Sequence, residues 1–243
     1  MSRLNFLLFF LLLVLFSATL VLGNEFEFDN ADQAISSGKS FLEKKDFVSG
    51  EQCFRKAVEI DPLCSDAWGL LGESMLAGKS SLQIDESDDE IPECLKKAIA
   101  LDPKNHRAIN SLGTFYLYLG NYPTAERYYQ EAVSLNPDLI YISNLAQALD
   151  QLGKPLVSES LRKSGCDTYP LSFSIHLDYV GQMFSARKYL EALPYFENLI
   201  VLANGDPKKE QLVFEMYNKA KTKEAESVFS RISHLLKWPR KHR

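Results

Sequence analysis

Three similar phrases, spaced along the chain, constrain its fold more than any other feature of the sequence. Each phrase begins with alanine and ends with an acidic or amide residue followed by proline, at residues 57–62, 98–103 and 132–137. The second and third prolines are 34 residues apart, and the first and second are 41 apart. Self-similarity at this period indicates a stack of repeated supersecondary units, each of which ends at one of these prolines.

Residues 106–138 form the cleanest unit. Its small, aromatic and terminal residues fall at regular places: Leu112, Gly113, Tyr116, Ala125, Tyr129, Ala132 and Pro137. On these residues the chain resembles the tetratricopeptide repeat family, whose unit is two antiparallel helices. The resemblance implies that Gly113 and Ala125 are small because the two helices of a unit approach closely there.

The resemblance extends, more weakly after residue 138, from residue 31 to residue 236. It predicts about five to six helix pairs, at residues 31–64, 65–105, 106–138, 139–165, 172–205 and 207–236. The fourth unit is degenerate, with Ser158 among its few matches. Because no strand-like alternation competes, the predicted class is all-α and the architecture is a right-handed superhelical solenoid. We expect the apolar stripe of residues 225–236 to cover the end of the stack.

The second unit has seven extra residues, within residues 78–90. Asp85, Glu86, Asp88, Asp89 and Glu90 cluster there, which predicts a solvated loop. Their spacing does not reproduce a calcium-binding loop. The four histidines are also not spaced with another histidine or cysteine as zinc ligands are, so no metal site is predicted.

Residues 1–23 are predicted to be a targeting segment. Arg3 precedes an apolar run from Leu4 to Leu22 that is interrupted only by Asn5, Ser17 and Thr19. This layout is typical of a secretory signal peptide cleaved after Gly23, and the length also fits an uncleaved signal anchor. An acidic leader at residues 24–30 follows, and residues 237–243 form a basic tail. The charge asymmetry predicts that residues 24–243 are translocated.

Composition excludes several classes of function. The formal net charge is −5 and the pI is near 5.5, so no basic face for nucleic acid is expected. No phosphate-binding loop or pair of enclosed carboxylates is recognisable, which predicts a protein that is not an enzyme and needs no cofactor. Cys53 and Cys94 occupy the same repeat position on successive second helices, which makes them a poor pair for a disulfide, so small semi-buried side chains are predicted.

The resemblance implies a concave groove, lined by the first helix of each unit, that binds a protein or peptide. The residues at these positions with side chains suited to binding are Lys39, Glu73, Arg107, Asn110, Thr114, Tyr118, Asn144 and Gln147. Arg107, Asn110, Thr114 and Tyr118 follow one face of a single helix. Tyr118 has two interpretations: it binds a partner, or it packs between units.

Two functions follow from these features. The first is a non-enzymatic adaptor or co-chaperone in the lumen of the endoplasmic reticulum, or a secreted one, that holds a partner segment in its groove. The second is a structural subunit of a complex, tethered to a membrane by residues 4–22, with the array on the luminal side. Contact with a membrane is expected only if the signal is not cleaved, and then only through residues 4–22.

Overall fold

The computed structural model describes residues 26–79, 83–85 and 87–220, without the side chains of residues 219 and 220. Every regular element within these residues is an α-helix. The predicted signal segment, the helix expected at residues 225–236 and the basic tail lie outside the described residues. Within the described residues, no helix is both long enough and apolar enough to span a membrane.

Eleven helices follow one another along the described chain. They are α1 (Ala31–Glu43), α2 (Phe47–Ile60), α3 (Ser65–Gly78), α4 (Glu90–Leu101), α5 (His106–Tyr118), α6 (Tyr122–Leu135), α7 (Leu139–Gln151), α8 (Pro155–Thr168), α9 (Phe173–Ser185), α10 (Tyr189–Ala203) and α11 (Pro207–Ala220). The all-α class is confirmed, and the described residues contain five complete helix pairs and the first helix of the sixth. The second helix of the fourth pair, α8, ends at Thr168, three residues beyond the predicted end of that unit at residue 165.

The turn between the two helices of a pair has the same geometry in four places. Each turn has three residues, and the middle one has a left-handed backbone with φ of 60–73°: Lys45, Gly120, Gly153 and Arg187. The residue after it caps the next helix in two of the turns, where Asp46 accepts from Ser49 N and Asn121 accepts from Thr124 N. A three-residue turn reverses the chain, so the helices that it joins run antiparallel.

Glycines at the helix contacts show how closely paired helices approach. A Cβ atom on Gly38 would lie 2.6 Å from Cε1 of Phe54, and one on Gly50 would lie 3.2 Å from Cδ2 of Leu42. The residue numbers rise along α1 while those of their contacts fall along α2, as antiparallel packing requires. A Cβ atom added to Gly113 would likewise lie 2.8 Å from Cδ1 of Tyr129. The predicted close approach at Gly113 is therefore confirmed.

The chain divides into two compact units, residues 1–108 and 109–243. The core of the first unit comes from α1 to α4: Ala34, Ile35, Phe54, Ala57, Val58, Ala67, Leu70, Leu71 and Cys94. Among the described residues, the core of the second unit includes two clusters. The first includes Tyr129, Leu145 and Leu149, and the second includes Tyr179, Met183, Phe184 and Phe196.

The four cysteines are all free thiols. Cys53 and Cys94 are buried, at 0% and 4% exposure, which is more complete than the predicted semi-burial, and they form no disulfide. Burial raises the pKa of the Cys94 thiol to about 11 and that of Cys166 to about 12. These thiols are therefore protonated and unreactive at neutral pH.

The described part of the segment between α3 and α4 is non-helical and its acidic side chains reach solvent, as predicted for a solvated loop: Asp85 and Asp89 are exposed and Asp88 is half-buried. Ile84 is 6% exposed, so an apolar side chain anchors the segment to the first unit. Lys79 pairs with Asp88, and Nη1 of Arg55 lies 2.5 Å from Oε1 of Glu90. Among the described residues, no group of three or more histidine, cysteine or acidic side chains could hold a metal ion.

Candidate partner-binding surface

The eight residues predicted to line a groove divide between the two units. Lys39, Glu73 and Arg107 belong to the first unit, on α1, α3 and α5. Nη2 of Arg107 lies 2.8 Å from Oε2 of Glu73, and about half of the Arg107 side chain is exposed. This ion pair joins α3 to α5, the first helices of neighbouring pairs. Lys39 is exposed on α1.

In the second unit the structure brings together two of the predicted residues. Nδ2 of Asn144, on α7, donates to Oδ1 of Asn110, on α5, at 3.0 Å. Both asparagines are half-buried. This bond does not use Oδ1 of Asn144 or Nδ2 of Asn110. An amide oxygen accepts and an amide nitrogen donates, so both atoms can pair with a peptide backbone. Neighbouring first helices are thus linked through groups suited to binding a peptide.

Thr114, which was predicted for the groove, also forms hydrogen bonds within the unit. Its hydroxyl donates to the backbone oxygen of Asn110 at 3.2 Å and accepts from the phenol of Tyr129 at 3.0 Å. Tyr129 is fully buried, and burial raises the pKa of its phenol well above the ordinary value. Thr114 therefore satisfies the polar end of a core side chain.

Tyr118 and Gln147 are both exposed. The exposed fraction of Tyr118 is 38%, so its ring is not enclosed in the core. Tyr118 and Gln147 are on α5 and α7, the helices that Asn110 and Asn144 connect.

The structure adds a polar cluster that the sequence interpretation missed. The eighth residue of α2, α6 and α10 is a fully buried aromatic: Phe54, Tyr129 and Phe196. The eighth residue of α8 is Arg162, which is also buried, at 5% exposure. A guanidinium therefore occupies the core position that α2, α6 and α10 fill with a ring. The eighth residue of α4 is Lys97, which is exposed, so the position alone does not distinguish a buried cation from a solvated one.

Two carboxylates neutralise the buried guanidinium. Nη2 of Arg162 lies 2.8 Å from Oδ2 of Asp150, at the end of α7. Nε donates to Oδ2 of Asp178, on α9, at 2.7 Å, and Nη1 donates to the hydroxyl of Ser158. Such pairing is what allows a charged group to be buried. The cluster links α7, α8 and α9.

Gln182 completes the cluster from α9. Its Nε2 lies 3.3 Å from Oδ1 of Asp150 and 3.3 Å from Oγ of Ser158, and it donates to both. Its Oε1 is buried and has no hydrogen-bond partner among the described residues. Asp150 and Asp178 are not fully enclosed, since 33% and 39% of their side chains are exposed. The cluster therefore presents carboxylates to solvent.

Comparisons with known proteins agree with this architecture. Residues 106–139 match the tetratricopeptide repeat family. The type IV pilus assembly protein PilF of Pseudomonas aeruginosa is 25% identical over 172 residues, which are 68% of this chain and 64% of PilF. Protein bimA of Emericella nidulans is 27% identical over 100 residues, 41% of this chain and 12% of bimA. The chain thus spans less than two thirds of the length of either relative.

Two solved structures have the same fold. The structure of Pseudomonas aeruginosa PilF superposes with a TM-score of 0.61 at 22% identity, covering 85% of this chain and 91% of PilF. The tetratricopeptide-repeat protein TTC0263 of Thermus thermophilus superposes with a TM-score of 0.62 at 16% identity, covering 76% and 98%. At these identities the likeness establishes the fold alone. The chain is a helical-repeat protein similar to PilF and contains at least one recognisable tetratricopeptide repeat.

Proposed function

We propose that this protein is a non-enzymatic scaffold that binds a segment of a partner protein on the surface of its first helices. The observation that carries the proposal is the hydrogen bond from Asn144 to Asn110, which connects α7 to α5 through half-buried amides. The exposed side chains of Tyr118 and Gln147 lie on the same two helices. Amides of this kind bind an extended backbone, and tyrosine supplies contact area at low entropic cost.

The similarity to PilF supports a role in the assembly of a protein complex. PilF is a pilus assembly protein, and the proposal takes only this general role from it. The secretory location, in the lumen of the endoplasmic reticulum or outside the cell, rests on the apolar segment from Leu4 to Leu22. Since PilF is bacterial, the comparison does not support the endoplasmic reticulum in particular.

Photo-cross-linking tests the binding surface directly. A photoreactive phenylalanine analogue is placed at Gln147 in one variant and at Gln130 in another, because both glutamines are exposed and lie on α7 and α6 respectively. We expect partner adducts from position 147 and none from position 130. In the same cells, Arg107→Glu with Asn110→Ala is expected to abolish the adduct while helicity and melting stay normal. Equal adducts from both positions, or an unaffected double variant, would refute the proposal.

The membrane-anchored structural subunit is the second candidate, because residues 4–22 also have the length of a spanning helix. Sequencing the N-terminus of the mature protein distinguishes the two candidates. A start at Asn24 supports the free adaptor, and an intact segment 4–22 supports the anchored subunit. Protease added to intact microsomes is expected to spare residues 24–243 in both cases, and digestion without detergent would exclude both.

A further inference from the structure

The exposed edge of the Arg162 cluster is acidic. Arg162 contributes one positive charge, and Asp150 and Asp178 contribute two negative charges. These three side chains together keep one net negative charge. The Arg162 side chain is 6% exposed, whereas a third or more of each aspartate side chain is exposed, so the negative side chains are the ones that contact solvent.

An apolar cleft lies between α9 and α11, and α9 is also the helix that carries Asp178. Its volume is about 390 Å³, and its walls include Leu177, Gly181, Phe184, Leu212 and Met216. Leu212 is 46% exposed, which is more than a core leucine shows. Gly181 and Met216 both line the cleft, and a Cβ atom added to Gly181 would lie 3.7 Å from Cε of Met216. The cleft can therefore receive an apolar side chain.

The cleft has an acidic rim as well. Glu215, on α11, lines the same cleft and is exposed. Asp178 projects from α9 in a sector next to that of Leu177 and Gly181, because successive residues of an α-helix are rotated by about 100°. We call Asp150, Asp178, Glu215 and the cleft residues together the acidic cleft.

One extended ligand can reach both parts of the acidic cleft. Neighbouring side-chain positions on a helix surface are about 5–6 Å apart, and an extended peptide advances about 3.3 Å per residue. A basic side chain near Asp178 and an apolar side chain between Leu177 and Met216 would therefore come from ligand residues two to four apart. An acidic ligand would instead be repelled by the net negative charge of the Arg162 cluster and by Glu215.

We propose that the acidic cleft binds an extended segment of a partner protein in which lysine or arginine stands two to four residues from a large apolar residue. The inference rests on the proposed function, because it names the chemistry of the segment that the scaffold holds. Asp150, Asp178 and Glu215 select the basic residue, and the cleft of α9 and α11 selects the apolar one.

Synthetic peptides test the inference with the full chain. The probes are fluorescent twelve-residue Ser/Gly peptides with one Arg, Gln or Glu and, three residues further on, one Leu or Ser. Binding is measured by fluorescence anisotropy. We expect the Arg/Leu peptide to bind at least about tenfold more tightly than the Glu/Leu and Arg/Ser peptides, and its affinity to fall as salt is added. Equal affinity for the Arg, Gln and Glu peptides would overturn the inference.

Matched variants locate the binding site. Asp178→Asn removes one negative charge and keeps an oxygen that accepts from Arg162, and it is expected to raise the Kd of the Arg/Leu peptide at least fivefold. Asp167→Asn, at an exposed aspartate on α8, is its control and should leave the Kd unchanged. Leu212→Glu is expected to abolish apolar selectivity, whereas Leu190→Glu, at a leucine that is 59% exposed on α10, should not. Identical effects of variant and control would overturn the inference.

Two further outcomes separate this inference from the proposed function. If none of the peptides binds while position 147 still yields partner adducts, the acidic cleft is not the partner site but the scaffold function stands. If the peptides bind only after Arg240, Lys241 and Arg243 are changed to glutamine, the chain's own basic tail occupies the cleft, and the partner proposal is overturned. Loss of the adducts at position 147 would overturn the scaffold function itself.

Discussion

Nε of Arg162 donates to Oδ2 of Asp178 at 2.7 Å, across the contact between α8 and α9. The two residues belong to consecutive helix pairs, so this bond connects one repeat to the next. Arg162 is almost fully buried, whereas Asp178 is partly exposed. A cation held in this way depends on its acceptors, because water cannot replace them inside the core.

The first prediction concerns the loss of this cation. Arg162→Met leaves Asp150 and Asp178 close together without a partner, and we expect the free energy of unfolding to fall by about 2–3 kcal/mol, below the usual cost for fully buried pairs because both carboxylates reach solvent. Adding Asp150→Asn and Asp178→Asn to that variant removes the repulsion and should restore part of the loss. Urea unfolding followed by circular dichroism measures both. A loss below about 0.5 kcal/mol for Arg162→Met would contradict the assigned role.

Much of the fold could be predicted from the sequence, because local signals determine it. The alanine-to-proline phrases mark the ends of α2, α4 and α6, and small residues such as Gly113 mark the contacts within pairs. The turns were less predictable. Lys45 and Arg187 adopt the left-handed conformation that Gly120 and Gly153 adopt, although neither residue type favours it.

The binding surface could be predicted only in part, because its contacts depend on residues far apart in sequence. Asn110 and Asn144 were both predicted for the groove, but nothing local indicates that their amides bond to each other. Arg162 was missed because its acceptors, Asp150 and Asp178, lie 12 and 16 residues away on other helices. A charged residue at a core position is recognised only when its partners are known.

The second prediction tests the close contact of α3 with α4. Gly72→Ala would place Cβ 2.7 Å from Cγ of Leu95, and the backbone oxygen of Ile91 is only 3.3 Å away. Overpacking should outweigh the better helix propensity of alanine, so we expect a net loss of about 1–2 kcal/mol. Gly69→Ala is the matched control on the same helix, where the nearest atom is 3.4 Å away. It should be neutral or slightly stabilising, and equal losses in thermal unfolding would refute the packing argument.

The third prediction concerns the left-handed residue in two equivalent turns, Lys45 in one and Gly120 in the other. Lys45 has φ of 60°, which is strained for a residue with a side chain, so Lys45→Gly should stabilise the fold by about 0.5–1 kcal/mol. Gly120 has φ of 73° and nothing within 4 Å of an added Cβ, so Gly120→Ala tests the backbone alone and should cost about 1 kcal/mol. Urea midpoints measure both variants. If the urea midpoints of both variants shift in the same direction, backbone strain at these two positions does not explain the changes in stability.

The last prediction concerns alkaline pH and the buried phenol of Tyr129. Burial raises the pKa of Tyr129 in the folded state above its ordinary value near 10, so the unfolded chain releases this proton first as the pH rises. The stability that Tyr129 contributes is therefore complete below pH 10 and is lost above it. Tyr129→Phe should cost about 1 kcal/mol at pH 8, because the hydrogen bond to Thr114 is lost.

Above about pH 10 the wild type should lose about 1.4 kcal/mol per pH unit relative to Tyr129→Phe, and the two stability curves should cross near about pH 11. The buried phenol of Tyr179, whose pKa burial raises to about 12, is present in both proteins and cancels from the difference. Tyr122→Phe, at a half-buried tyrosine that opens α6, controls for the loss of one phenol. Parallel stability curves for wild type and Tyr129→Phe from pH 8 to 11.5 would show that folding does not raise the pKa of Tyr129.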